Sequence, residues 1–495
     1  MSRKKKRTPQ QITPEAAQSA ALERFKPLLE PADYQAMLEE LAQPMPLAFR
    51  SNPLKAAPGA EKEWAQRYGW QLEPVPYCPT GWRVTGMEIP VSMTLEHRMG
   101  HYYIQDAASM LPVELFEFDS LDRPLVLDLA ASPGGKTTHL TARLSDRGLV
   151  IANDSSADRI TALRLVLQTW GATNVAVTRF PGEKFGRWYP GTFDRILLDA
   201  PCSMQGLRST DSHPMRPITD REQVTLARRQ AALLAAAIAA LKPGGQVVYS
   251  TCTLAPEEDE SVLDEILRRY PTSIEIEGLE TRLPSPAPAL VEAYSQNFDP
   301  RVARAARLWP HRFHTSGFFA ALIRKVSPVD FPREEPPNRP LSLVGQKPLA
   351  GAVKHDLFAF FRDQFGHDFE PILETYGLEL WRNAAGIFAV PSTYLQHFGG
   401  LPCHLLGLKL AEDTPDGWMP AHDWVARFVS SFTAGRVVIP HDLLAPWLRG
   451  EDLDFALPNG RQNGVVVLFD ADERCLGRGR LQGGKIKNLL PRRLV

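Results

Sequence analysis

Between residues 121 and 325 short apolar runs alternate with longer stretches whose apolar positions recur every three or four residues. The runs 124–130, 148–154, 174–180, 193–200 and 246–252 read as buried strands. Residues 273–278 and 316–325 can supply two more. Helical spacing fills the gaps: from Gly134-Gly135 through Leu144, over 156–171, and over 218–245 with Gly244-Gly245 at its end. Strands alternating with helices predict an α/β fold, a doubly wound and mostly parallel Rossmann-like sheet.

The flanks read differently. Residues 14–50 look helical, with Phe25, Leu28, Leu29, Tyr34, Met37, Leu38 and Leu41 on one face, until Pro44, Pro46, Pro53 and Pro58 break the pattern. Residues 63–115 mix short strands with a helical entry near 100–116. A proline-rich polar stretch follows the core. Short strands then run from 420 to the end, with turns at Asn459-Gly460 and Gly483-Gly484 that suggest a compact β-barrel. The predicted organisation is a basic tail (1–12), a helical and mixed segment (13–115), the core (116–325), a linker (326–352), a small αβ module (353–415) and a barrel (420–495).

Composition narrows the class. With 44% hydrophobic and 23% charged residues the chain is an ordinary globular protein. The most apolar helix candidate, 231–242, is too short to span a bilayer. The N-terminus has basic residues and no apolar stretch behind them, so a cytoplasmic monomer off the membrane is expected. Five cysteines, widely spaced and without a CxxC pair, argue against a disulfide framework and a thiolate zinc site. His97 and His101, or His311 and His314, could begin a metal site, but no third ligand has a familiar spacing, so no metal is expected. A net charge of -1 carries no global nucleic-acid signature. The ends are basic, however. Residues 474–495 contain no acid and read as a surface for a polyanion, and the N-terminal tail suits a polyanion or simple solvation equally well.

The chemistry lies at strand ends. Asp128, Asp154, Asp199, Cys202 and Cys252 all stand at the carboxyl ends of predicted strands, where such sheets bind ligands. The turn in 126–138 is neither GxGxxG nor a P-loop. It still brings backbone close to a ligand at a helix start, and Asp154 suits ribose hydroxyls, so a nucleoside-containing cofactor is expected. A plain structural βαβ turn is the alternative. A single buried cysteine is most often a small hydrophobe. Two at neighbouring strand ends suggest thiol chemistry: a thiolate adding to carbon 6 of cytosine makes carbon 5 nucleophilic toward an electrophilic methyl. Asp199, protonated in a dry pocket, could assist at N3, and the second thiol could act as the base that releases the adduct. Spacing does not rank the two cysteines. Glu257, Glu258, Asp259 and Glu260 read as acids opening the next helix, and Tyr102 and Tyr103 as helical core aromatics.

The motifs DLAASPGGKT, DAPCS and STCTLAPEEDE together resemble the Sun family of RNA cytosine-C5 methyltransferases. GHYYIQDAASMLP and RLWPHRFHTSGFFAALI look like two further family motifs. The C-terminal residues are similar to the closing PUA-like barrel of the bacterial members that methylate 16S ribosomal RNA, and PLAFRSNPLK (46–55) resembles their N-terminal RNA-binding segment. The resemblance implies S-adenosylmethionine as cofactor and RNA as partner, most simply 16S rRNA or the small ribosomal subunit. A tRNA enzyme of the same chemistry and a non-catalytic assembly factor are the alternatives. It also implies site residues: Ala130, Ala131, Ser132, Pro133, Gly134, Gly135 and Lys136 around the cofactor, with Asp154, Arg159 and Asp199. Cys252 would be the nucleophile, Cys202 the group that assists release, and Asp199 and Lys136 their catalytic neighbours. The Lys136 ammonium would favour a nearby thiolate. Three positions depart from the family pattern. Pro181 stands where an acid is usual, with Glu183 as a possible substitute. Met204-Gln205-Gly206 replaces Gly-x-Gly and could narrow the base pocket. Ser316 stands where the bacterial type often has an acid.

Overall fold

A computed structural model describes residues 14–208, 215–455 and 463–495. The basic tail and the Asn459-Gly460 turn lie outside the described residues. The core sheet contains β1 (Leu125–Asp128), β2 (Leu149–Asn153), β3 (Val175–Thr178), β4 (Phe193–Asp199), β5 (Leu241–Thr251), β6 (Ile274–Glu277) and β7 (Phe318–Lys325). Their order across the sheet is β6-β7-β5-β4-β1-β2-β3. Strands β1 to β5 pair in parallel, and β6 and β7 run antiparallel at one edge. The doubly wound reading therefore holds, and the order reverses between β1 and β4, which opens a crevice at their carboxyl ends.

Strand periodicity explains the two layers. Leu125, Leu127, Leu149, Ile151, Ile196 and Leu198 face one apolar cluster, completed by helices α3 (Asp220–Ala240) and α4 (Glu260–Arg269). Val126, Val150, Ala152 and Leu197 face the other, completed by α1 (Gly135–Arg143) and α2 (Ala157–Trp170). Each such buried side chain contributes about 1.5–3 kcal/mol. Helix α3 begins at a capping box, with Thr219 and Glu222 satisfying each other's backbone N–H groups. It ends at Ala240, earlier than its Gly-Gly pair suggests. Pro243 cannot continue a helix, and the chain enters β5 directly from Leu241.

The flanks differ from their periodicity. Leu47–Ser51 is a strand rather than the end of a helical region, and it pairs with Gly81–Gly86 and Tyr102–Ile104 in a four-stranded antiparallel sheet. Tyr102 and Tyr103 are thus strand residues. The 46–55 segment does not offer its polar side chains to solvent. Arg50 is wholly buried and donates to the Gly135 carbonyl (3.1 Å) and Thr138 Oγ1 (2.7 Å). Asn52 donates to the carbonyls of Gly100 and Trp170, and Lys55 to those of Met99 and Thr169. These residues fasten the N-terminal sheet to α1 and α2.

The proline-rich stretch is not a free tether: Glu334 pairs with Lys184 (2.6 Å) and Arg187 (2.5 Å) of the core. Leu405–Leu406 adds an antiparallel edge to β3, joining the C-terminal half to the core sheet. A five-stranded antiparallel sheet spans 347–420, and a second five-stranded sheet, open as a half-barrel, spans 436–488. One apolar cluster containing Trp424 and Trp447 runs through both. In the basic terminal run Arg474 pairs with Asp470, Arg480 with Asp416 and Arg493 with Asp423, while Arg478 is buried against the Pro420 carbonyl. Lys485 pairs with Asp454 at 2.9 Å, so Lys487 and Arg492 are the exposed cations that remain there. No helix among the described residues is long and apolar enough to cross a membrane.

Candidate active site

The turn after β1 surrounds a cavity of about 210 Å³, lined by Tyr103, Asp128, Ala130 to Pro133, Gly135, Lys136 and Asp199 among others. Gly134 has φ +116°, a left-handed backbone that favours glycine, and a Cβ there would meet Val166 at 3.0 Å. A Cβ on Gly135 would lie 2.7 Å from Cε1 of Tyr103. Gly135 thus keeps the first turn of α1 open to the cavity, while Gly134 lets that turn pack against α2. Asp128 is buried, and its Oδ2 accepts from Thr137 Oγ1 at 2.7 Å while Oδ1 has no partner. Burial pushes its carboxyl up to about 7. Asp154 accepts from the amides of Ser132 (3.2 Å) and Ser156 (2.9 Å). The Arg159 guanidinium lies 3.6 Å from Asp154 and donates to the Ser132 carbonyl. This pair therefore holds the turn in place from behind.

Across the crevice, Lys136 Nζ donates to Asp199 Oδ2 at 2.7 Å, and Ser250 Oγ donates to Asp199 Oδ1 at 2.9 Å. Asp199 is thus an ion-pair partner with a side chain 31% exposed, not an isolated acid in a dry pocket. Burial disfavours the Lys136 ammonium, but the charge and hydrogen bond of Asp199, with help from Cys252, outweigh it and raise the lysine pKa. Next to this pair the sulfurs of Cys202 and Cys252 are 3.3 Å apart. The hydrogen bond to Cys252 and burial hold the proton on Cys202 well above the ordinary thiol range. Two anions cannot share so small a space, so one proton lies between the two sulfurs.

The family described as 16S rRNA methyltransferase RsmB/F matches residues 117–324, and the N-terminal domain of 16S rRNA methyltransferase RsmF matches 19–107. The ribosomal RNA small subunit methyltransferase F of Erwinia tasmaniensis is 32% identical over 96% of this chain and 96% of its own length. The chain belongs to the ribosomal RNA small subunit methyltransferase F family. The F protein of Pectobacterium carotovorum is 33% identical over 92% of this chain and 90% of its own. Among solved structures, a methyltransferase homolog protein from Pyrococcus horikoshii is 30% identical, covers 62% of this chain and 99% of its own, and superposes with a TM-score of 0.52.

Against that family the three departures acquire physical meaning. Glu183 does not line the cavity. Asn153 instead pins this segment through the amide and carbonyl of Phe180. Met204 adopts φ +57°, the backbone a glycine would take, and its side chain faces outward into a separate pocket of about 660 Å³ beside Cys202. Gly206 is where glycine is required, because a Cβ there would lie 2.5 Å from the Gly317 carbonyl. Ser316 is buried beside the half-buried Asp106, so a second acid at 316 would set two carboxylates together.

The acids after Cys252 do stand at a helix start, with Asp259 at the N-cap of α4 and Glu260 its first residue, but three of the four are wholly buried. Asp259 and Glu260 close on the equally buried Arg307, and Glu258 faces the Cys202 loop. An acidic run directly after an apolar strand, with an arginine inside a later apolar motif, is the signal that could have suggested this network. Tyr103 was likewise missed as a cavity wall. Neither histidine pair gathers ligands. The trio that does converge among the described residues is Cys78, Glu114 and His139, with ligating atoms within 4.8 Å of one another. His139 is bonded to Glu114 at 2.8 Å, burial pushes the Cys78 thiol up to about 12, and Arg143 pairs with Glu114. The Glu114 carboxylate is thus paired on both sides, while His139 Nδ1 has no partner.

Proposed function

We propose that this F-family methyltransferase methylates carbon 5 of a cytosine in the 16S RNA of the small ribosomal subunit, with S-adenosylmethionine as donor. The observation that carries the reading is the 3.3 Å sulfur pair beside the Lys136–Asp199 ion pair, at the mouth of the glycine-lined cavity. The cavity residues fit the donor. The unpartnered Asp128 Oδ1 suits its ammonium group, and the Cβ-free first turn of α1 leaves room along the backbone. Ala130 to Lys136, Asp154, Arg159 and Asp199 would hold it, Asp154 and Arg159 by fixing the Ser132 turn at the ribose end. When bound, S-adenosylmethionine supplies an electrophilic methyl group.

Cys252 adds as thiolate to carbon 6 of the cytosine, which makes carbon 5 electron-rich. Asp199, held by Lys136 and Ser250, orients the base by accepting a hydrogen bond from its 4-amino group. Cys202 keeps its proton while Cys252 is anionic, because the adjacent charge disfavours a second thiolate. Once the charge on Cys252 is consumed in the carbon–sulfur bond, Cys202 becomes free to ionise and to take the carbon-5 proton. That proton loss expels Cys252 and restores the aromatic ring.

The test uses small-subunit RNA lacking the modification and methyl-labelled S-adenosylmethionine. Label on cytosine is expected. Cys202→Ala should accumulate a denaturant-stable protein–RNA adduct, and Cys252→Ala should form none. The reverse pattern would exchange the two roles. Label on tRNA alone, or no label at all, would favour the tRNA or the non-catalytic alternative.

A further inference from the structure

The release step raises a question of proton balance. Cys202 must lose a proton before it can act as a base, and methylation as a whole liberates one proton. Glu258 stands where that proton could go. Its side chain is fully buried behind the Cys202 loop. Its Oε2 accepts from the Ser203 amide at 3.0 Å and from Gln230 Nε2 at 2.8 Å. Gln230 also donates to the Pro201 carbonyl at 2.9 Å, so the carboxyl is tied to the backbone on both sides of Cys202. Its other oxygen, Oε1, is buried and has no partner. A purely structural carboxyl would be expected to fill both oxygens with donors, since an unpaired buried one is costly.

We infer that Glu258 is a positioning residue that accepts the Cys202 proton and so arms that thiol for release of the methylated base. The inference rests on the covalent reading above. The Cys202 sulfur and the Glu258 carboxyl do not hydrogen-bond directly, so in the adduct the Cys202 S–H bond breaks and its proton passes through one intervening water to form an O–H bond on Glu258. The Cys202 thiolate then takes the carbon-5 proton, and the carbon–sulfur bond to Cys252 breaks with its electron pair leaving on sulfur. The protein ends with Cys202 as thiol, Cys252 as thiolate and the liberated proton on Glu258, which passes it to solvent. Burial raises the Glu258 carboxyl above its ordinary range, which brings it closer to a thiol in basicity. The titratable groups around it are Cys202, Tyr249 (whose hydroxyl donates to the Glu258 carbonyl at 2.5 Å), the following Asp259, and Glu257, itself paired with Arg24.

Glu258→Gln tests this, because its amide oxygen can still accept from Ser203 and Gln230 but cannot take up a proton. Single-turnover reactions with labelled S-adenosylmethionine and unmodified small-subunit RNA are followed for methyl transfer and for free RNA separately. The expected result is normal methyl transfer with release slowed roughly 100-fold, the scale of a lost general base. Release should recover as pH is raised, when solvent can deprotonate Cys202. Wild-type release from the variant would overturn the inference. So would a variant that makes neither adduct nor methylated RNA, since Glu258 would then only support the fold. The covalent reading fails on a different result: no adduct from Cys202→Ala.

Discussion

Arg307 offers the sharpest test of what holds the thiol loop in place. Its guanidinium is wholly buried and donates to Glu260 (2.8 Å), Asp259 (3.2 Å) and the Leu254 carbonyl (2.9 Å). Asp259 in turn accepts from Thr251 Oγ1 at 2.6 Å, directly before Cys252. Arg307→Met keeps the stem and removes the charge. Two carboxylates and one carbonyl then remain buried without their cation, a situation that costs about 3–5 kcal/mol. For a domain of this size each kcal/mol lowers Tm by about 2–4 °C, so a fall of about 6–20 °C is expected. The pH dependence has a definite sign. Burial already raises the Asp259 carboxyl, and Arg307 opposes that rise. Without Arg307 the folded state binds the Asp259 proton still more tightly than the unfolded state does. Stability of the variant should therefore improve as pH falls toward the ordinary carboxylate range, and the gap to wild type should narrow. Scanning calorimetry at pH 8, 7 and 5.5 measures both effects. A Tm within 2 °C of wild type at pH 8, or a gap that widens on acidification, would refute the account.

Three further outcomes follow from the same geometry. Gly135→Ala should push Tyr103 into the cavity and weaken S-adenosylmethionine binding about 5- to 150-fold, the equivalent of 1–3 kcal/mol of overpacking, as read by calorimetric titration. An unchanged Kd would place the donor elsewhere. Hydrogen peroxide should join Cys202 and Cys252, two thiols and one peroxide giving a disulfide and two waters, with loss of activity that dithiothreitol restores. Mass spectrometry should find this link in wild type and not in Cys202→Ala. Lys55 is buried with its pKa lowered to about 7 by desolvation. The unfolded chain then binds more protons between about pH 7 and 10, so this group makes stability rise with pH across that window, and Lys55→Met should flatten the slope in chemical denaturation. A slope that persists in the variant would assign it to other groups.

The core fold was legible because its signal is local. Period-two apolar runs, helix-opening turns and the DAPCS and STC motifs sit at strand ends, and the carboxyl ends of parallel strands must meet along one edge. The flanks were less legible. Arg50 and Lys55 read as exposed cations in a basic, proline-rich segment, yet they are buried donors to helix-end carbonyls. The basic terminal run looked like a free surface because its acidic partners, Asp416 and Asp423, lie about sixty to seventy residues earlier in the chain. Glu258 to Glu260 looked like ordinary helix-start acids, because Arg307 approaches them only through β7 and its neighbouring strand.

By itself the sequence determined the strand and helix alternation, the glycine turn after the first core strand and the strand ends that carry Asp199, Cys202 and Cys252, since these depend on spacing within a few residues. It did not determine that the two sulfurs meet, which charges are buried, or which acid stands behind Cys202. Those depend on distances between residues some fifty apart in the chain, such as the 3.3 Å between Cys202 and Cys252. Protonation in a crowded, poorly solvated site is a property of what is near in space, and only the folded chain brings those groups together.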